Sequence, residues 1–268
     1  MNTKEHVVGS NKIFVEERIP EEKKFSHPLI LVHGSFGGFF MWKMIATALQ
    51  KAGFHSYALS LRGHKPSGET DLGNVSMKDY VDDITVVINE LHLEEPVVIG
   101  HSMAGLLVLM YAKGNLVHAV VSIDPSPSLE VQGSGDEENI KTIPAIYTAM
   151  DAGMPSDPQK VMQALSDISP EILMKMKDML GPESGHARKD RKRGISVPKE
   201  SLNSPILMIG AELGKSVPFG ISFESTQKMA KYYDAELVEI KGATHPGVLM
   251  GVHADQVSES ITSWLSKL

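Results

Sequence analysis

No cysteine occurs in the 268 residues. Disulfides, thiolate-held metals and a cysteine nucleophile are therefore excluded. No His-Glu-x-x-His or comparable ligand spacing occurs either, so no metal and no other cofactor is expected. Long apolar runs are also missing. The longest uncharged stretch, Pro96–Ala112, has 17 residues and carries Gly100-His101-Ser102 in its middle, which is short and polar for a membrane span. Met1–Lys24 has no apolar core of the kind a signal peptide needs. A soluble, cytoplasmic protein is the expectation. Basic charge is in deficit: 26 Lys and Arg against 33 Asp and Glu leave a net charge of −7. Phosphate binding needs a basic surface, so a nucleic-acid partner is not expected. The expected partner is a small molecule, and the oligomeric state is open.

Apolar residues make up 42% of the chain and charged residues 22%, enough for one large core and unlike a disordered or fibrous chain. Short β-type runs alternate with longer helical ones. Strands are expected at Lys12–Arg18, Leu29–Val32, Ser56–Leu61, Val97–Ile99, Ala119–Ile123, Ile206–Ile209 and Leu237–Ile240. Helices are expected at Phe40–Lys51, from Ser76 to about Leu91, at Ala104–Lys113 and at Gln256–Leu268. Ser76 and Asp79 have the spacing of a capping box. This alternation implies a parallel sheet covered on both faces. The rhythm breaks between Pro127 and Asn203, where helical patterns (Ile140–Ala152, Pro158–Leu165, Pro170–Leu180) are separated by Pro and Gly. The reading is a core made of residues 1–126 and 204–268, with 127–203 inserted as a helical cap. The basic run Arg188–Arg193 in that insertion reads as a solvated loop, with a clamp for an acidic substrate as the alternative.

Chemistry is concentrated at Gly100-His101-Ser102-Met103-Ala104-Gly105, between a short apolar run and a longer one. A serine between small residues where a strand becomes a helix is the pattern of a nucleophile elbow. Gly210–Ser216 looks like a phosphate loop, but only three residues separate its glycines where four are needed, so nucleotide binding is not expected.

Three further features appear in order: Leu31-Val32-His33-Gly34-Ser35, Leu61-Arg62-Gly63-His64-Lys65-Pro66-Ser67, and Gly242-Ala243-Thr244-His245. With the elbow, they make the chain from about Ile13 to Leu268 resemble the α/β-hydrolase family. The resemblance implies a mostly parallel sheet flanked by helices. It implies Ser102 as nucleophile, His245 as general base, and an oxyanion hole from the backbone N–H groups of Ser35 and Met103. His101 would pack beside the serine. Phe36, Phe39 and Phe40 would line the substrate pocket, or else be plain core.

The acid of a triad is where the chain departs from the common pattern. The usual position, four residues before Pro218, is Gly214. Asp124, at the end of the strand after the elbow helix, is favoured, because ligands and catalytic groups collect at strand carboxyl ends and some family members, haloalkane dehalogenases among them, keep their acid there. Glu212 is the alternative. The function expected is hydrolysis of a carboxylic ester, lactone or thioester through an acyl-serine, on a small or medium, mostly apolar substrate. The alternatives are a hydrolase-fold receptor with little turnover and a cofactor-free perhydrolase. The methionine-rich insertion supports an adaptable apolar pocket or simply its own core.

Overall fold

The computed structural model describes residues 2–268. Its strands are β1 (Asn2–Val8), β2 (Ile13–Ile19), β3 (Leu29–Val32), β4 (Ser56–Ser60), β5 (Val97–His101), β6 (Ala119–Ile123), β7 (Ile146–Tyr147), β8 (Glu183–Ser184), β9 (Ile206–Leu213) and β10 (Glu236–Thr244). Eight of them form one sheet in the order β1-β2-β4-β3-β5-β6-β9-β10. The first two pairings, β1 with β2 and β2 with β4, are antiparallel, and the rest are parallel. β7 and β8 make a small antiparallel ladder apart from it.

The helices are α1 (Lys43–Lys51), α2 (Met77–Glu90), α3 (Met103–Ala112), α4 (Leu129–Gln132), α5 (Glu137–Lys141), α6 (Pro158–Ala164), α7 (Pro170–Met179), α8 (Gly185–Arg193), α9 (Phe223–Tyr232), α10 (Gly247–Met250) and α11 (Ala254–Leu265). Helices α2, α3 and α9 cover one face of the sheet, and α1, α10 and α11 cover the other. Successive side chains of a strand point to opposite faces. On β3, Ile30 and Val32 enter the core under α2 and α3, while Leu29 and Leu31 enter the core under α1. A strand buried on both sides has to be apolar throughout, which is why Leu29–Val32 shows no polar alternation. Helix α3 is buried all round except at Met110 and carries no charge.

Several expectations shift. β1 has a polar sequence, because it is the exposed edge of the sheet and only β2 pairs with it. Helix α1 is preceded by a 3-10 turn, Phe39–Trp42. β9 and β10 run on past the expected ends, to Leu213 and Thr244. No helix covers Ile140–Ala152: α5 ends at Lys141, Pro144 follows, and Ile146–Tyr147 pairs with Glu183–Ser184. Proline lacks the N–H and clashes with the preceding turn, so a helix cannot run through it. The run Arg188–Arg193 is helical, forming most of α8. No helix among the described residues is long and apolar enough to cross a membrane.

α8 is fixed to the core at several points. Ser184 caps it by accepting from the Ala187 N–H, and its hydroxyl donates to the Val75 carbonyl. Tyr80 donates to the buried Glu183 carboxylate (2.5 Å), and Asp190 accepts the Met77 N–H (3.1 Å). At the start of α2 the capping box is complete, with the Ser76 side chain accepting from the Asp79 N–H and the Asp79 carboxylate accepting from the Ser76 N–H. Ser76→Ala should cost about 1 kcal/mol. A thermal melt followed by circular dichroism should show a fall of roughly 2–4 °C.

Candidate active site

The junction of β5 and α3 is too tight for side chains. A Cβ on Gly100 would lie 2.0 Å from the Ala104 carbonyl oxygen. Ser102, at the apex, takes φ 57° and ψ −116°, a conformation that L-residues avoid and that the surroundings must impose. Its N–H donates to the Ile123 carbonyl (2.9 Å), and its own carbonyl accepts from the Ser126 N–H (2.9 Å). The elbow is thereby tied to the end of β6.

The structure brings three of the expected side chains together. His245, just beyond β10, has its Nε2 2.9 Å from the Ser102 hydroxyl and its Nδ1 3.0 Å from Asp124 Oδ2. An ionised carboxylate only accepts, so Nδ1 carries the proton and Nε2 is left to accept from Ser102. Asp124 follows β6, with φ 43°, and its second oxygen accepts the Ala211 N–H (2.8 Å). Glu212 is elsewhere. Its exposed carboxylate accepts from the Gly242 N–H (2.8 Å) and Lys241 (3.4 Å) and does not meet His245, so the alternative acid is corrected. The reason is the alternation of β9, which aims the residue after Ala211 away from the site. Gly214 has no room for a side chain: a Cβ there would lie 1.9 Å from the Ile221 carbonyl oxygen and 3.5 Å from Asp124 Oδ2. The carboxylate that meets His245 comes from the end of β6 instead.

Burial pushes the Asp124 carboxyl up to about 7, against the opposing pull of the Ala211 N–H and the His101 ring. Burial, helped by Lys215, pushes the His245 imidazole down to about 3. In both cases the dry surroundings disfavour the charged form. The two groups share a hydrogen bond, so a proton taken up near neutrality belongs to the pair. His101 lies against His245 with ring centroids 4.6 Å apart, and its Nε2 bonds the His245 carbonyl oxygen (2.9 Å).

Gly34 brings the loop after β3 onto the serine: a Cβ there would lie 2.8 Å from Ser102 Cβ. Ser35 and Met103 flank the nucleophile position, and neither backbone N–H has an acceptor among the described residues. Both are free to meet an oxyanion. Phe36, in a left-handed conformation (φ 69°), lines the cleft between Tyr147 and Phe219. Phe39 and Phe40 do not line it, which corrects the expected pocket. The 3-10 turn carries them to the far side of the loop, where Phe39 packs on Phe14 of β2 at 4.7 Å.

The cleft has a volume of about 200 Å³. Its walls include residues that sequence reasoning missed or misplaced. Arg191 of α8 reaches into it, donating to Ser126 (3.2 Å), Ser35 (3.3 Å) and Tyr147 (3.3 Å). The signal was the spacing of Arg188, Arg191 and Lys192, which is i, i+3 and i+4 and so one helix face. Asp167, which does not line the cleft, carried no signal. It sits beneath the His245 loop, where its carboxylate accepts the Thr244 N–H (2.8 Å) and hydroxyl (2.7 Å). Among the described residues, two groups have donors close enough to hold a metal ion: His27, Glu95 and His118 near the surface, and His101, Asp124 and His245 in the site. In the second, both His245 nitrogens are already engaged, so an ion would displace the bonds to Ser102 and Asp124.

A family model described as the alpha/beta hydrolase fold matches residues 27–158. The chain is 34% identical over 107 residues to an sn-1-specific diacylglycerol lipase of Danio rerio, covering 39% of this chain and 33% of the lipase. It spans only 33–39% of the length of the lipases of this name that it matches. A 2-(acetamidomethylene)succinate hydrolase of Mesorhizobium japonicum is 27% identical over 259 residues, covering 90% of this chain and 87% of that one. An esterase structure from Thermogutta terrifontis aligns with a TM-score of 0.71 at 20% identity, covering 100% of this chain and 99% of the other, and shows the likeness of fold.

Asp167→Ala should leave the buried Thr244 N–H without its acceptor. The expected cost is about 1–3 kcal/mol, read as a lower urea midpoint. An unchanged midpoint would mean that the loop is held by other contacts.

Proposed function

We propose that this chain, which belongs to the α/β-hydrolase superfamily, is a serine hydrolase cleaving a carboxylic ester through an acyl-serine intermediate. The observation that carries this reading is the continuous hydrogen-bonded path from Asp124 through His245 to a serine on a strained elbow. The names of its relatives, which include lipases, esterases and other hydrolases, support the class.

The proposed reaction uses each group once per half-cycle. Ser102 attacks the ester carbonyl carbon while its proton passes to His245 Nε2. The carbonyl oxygen becomes an oxyanion held by the Ser35 and Met103 N–H groups. The imidazolium is stabilised by Asp124 and then gives its proton to the departing alkoxide. Water repeats the sequence on the acyl-serine, releasing the acid and restoring the hydroxyl. Residues 127–203 act as a cap over the site. The cleft, at about 200 Å³, is smaller than the roughly 300–1,000 Å³ typical of drug-sized ligands. It suits a short acyl group better than a long chain.

A fluorophosphonate probe should label the wild-type chain at Ser102 and leave Ser102→Ala unlabelled. An inert wild-type serine would favour a receptor. With p-nitrophenyl esters, activity should peak at short acyl chains. Asp124→Asn should lower kcat by about 10³–10⁴-fold, whereas Glu212→Gln should stay within about twofold, as expected for an exposed carboxylate. The reverse ranking would move the acid's role to Glu212.

Acidity should act through the pair. With the carboxyl raised to about 7, lowering the pH through that value adds one proton to Asp124–His245 and removes the base. The pH profile of kcat/KM should therefore fall about tenfold per unit on the acid side. A flat profile down to pH ~5, about two units below, would contradict proton uptake by the pair near neutrality.

A further inference from the structure

We propose that the site selects an acid-bearing substrate: an ester whose short acyl part ends in a second, ionised carboxylate, received by Arg191 and Arg188. The products are then a small dicarboxylate and an alcohol. This rests on the serine-hydrolase reading above and specifies its substrate.

The charge of the cleft opposes that of the chain. The chain carries a net −7, yet Arg188, Arg191, Lys192 and Lys215 line the cleft, and no Asp or Glu does. None of these four is in an ion pair among the described residues. On the same helix, Arg193 faces away from the cleft and is neutralised by Glu137 at 2.7 Å. The buried Glu183 carboxylate acts on Arg191 only beyond ion-pair distance; its closer partners are Tyr80 (2.5 Å), the Ser184 N–H (2.7 Å) and His64 (3.4 Å).

Arg191 is held by neutral oxygens only. Its three partners are the hydroxyls of Ser126, Ser35 and Tyr147, which orient the guanidinium without cancelling its charge. Its Nε is buried with no partner. Arg188 stands over the Tyr147 ring, 4.6 Å from the centroid. The crowding of like charge adds to desolvation at Lys192. Its side chain keeps solvent contact, but its ammonium is destabilised by desolvation and by Arg191, Arg188 and Lys215. No carboxylate lies within ion-pair distance of these four among the described residues, so an entering anion can pair with them. Two planar guanidinium forks suit a carboxylate, which they can hold with paired hydrogen bonds.

Position sets the length of the substrate. Arg191 bonds Ser35, which contributes an oxyanion N–H, and Ser126, whose N–H bonds the Ser102 carbonyl. The charge is thus one side chain away from the reacting carbonyl. Only a few carbons can separate the two ends of the acyl group, in keeping with a cleft of about 200 Å³.

The test compares monoethyl succinate with ethyl 4-methylpentanoate, which has the same shape without the charge, by pH-stat at neutral pH. Wild-type kcat/KM should favour the anion by about tenfold to a hundredfold, the range for hydrogen bonds to charged groups. Added salt should shrink the ratio, and Arg191→Gln should bring it towards one. If Arg191→Gln does not fold, Arg188→Gln, which removes the side chain over the Tyr147 ring, must lower the ratio instead. A wild-type ratio of one or below, or a ratio untouched in a folded Arg191→Gln, overturns the proposal and leaves the hydrolase reading standing. If neither ester is cleaved but Ser102→Ala binds succinate in calorimetry and loses it on adding Arg191→Gln, the anion pocket stands and hydrolysis falls. Neither cleavage nor binding overturns both.

Discussion

One imidazole, hydrogen-bonded at both nitrogens, joins three strand ends that are far apart in the chain. Ser102 follows β5, Asp124 follows β6 and His245 follows β10. The bonds are short because the parallel sheet brings the carboxyl ends of its strands to one edge, where side chains from separate crossovers converge. Everything else at the site serves that geometry. The Ile123 and Ser126 backbones hold the strained serine. The Ala211 N–H orients the aspartate. Asp167 and His101 hold the loop that carries the histidine. Burial of the pair makes a net charge expensive there, so its proton moves near neutral pH rather than in the carboxylate range.

The second electrostatic centre has a different origin. Helix α8 has three polar anchors to the core, through Ser184, Glu183 and Asp190. Those anchors decide which face of the helix turns inward. A basic helix left to itself would present all its cations to water, since charged side chains are seldom buried unpaired. Here the tether turns Arg188 and Arg191 into the cleft, where hydroxyls and a tyrosine ring hold them. A substrate read only from the apolar residues of the insertion would miss this. The lining contains methionines and Phe36, but cations meet them next to the reacting centre.

Much of the fold was legible because the central strands are buried on both faces and the crossovers alternate with them. Continuous apolar runs such as Leu29–Val32 and Ala119–Ile123 mark such strands directly. The edge strand β1 was not legible, since half-solvated backbone imposes no apolar pattern. The segment after β6 was legible only where proline and serine start helices, as at Pro158 and Pro170. Its ladder of Ile146–Tyr147 with Glu183–Ser184 joins residues too distant for any local pattern. Among the aromatics, composition placed Phe36, Phe39 and Phe40 together, but a single left-handed residue and a 3-10 turn send them in different directions.

By itself the sequence determined the elbow, because only small residues tolerate the close approach at Gly100 and Ala104. It also determined the order of strands and helices, because burial demands a matching pattern of apolar residues. It limited the triad acid to two candidates and left the choice open. Tertiary structure separated the two: β9 turns Glu212 outward to Lys241 and the Gly242 N–H, while Asp124, at the end of the neighbouring strand, meets His245. It also decided that Arg188 and Arg191 of the basic run line a cavity. Both are matters of side-chain direction, and direction is set by partners remote in the chain, which local patterns do not encode.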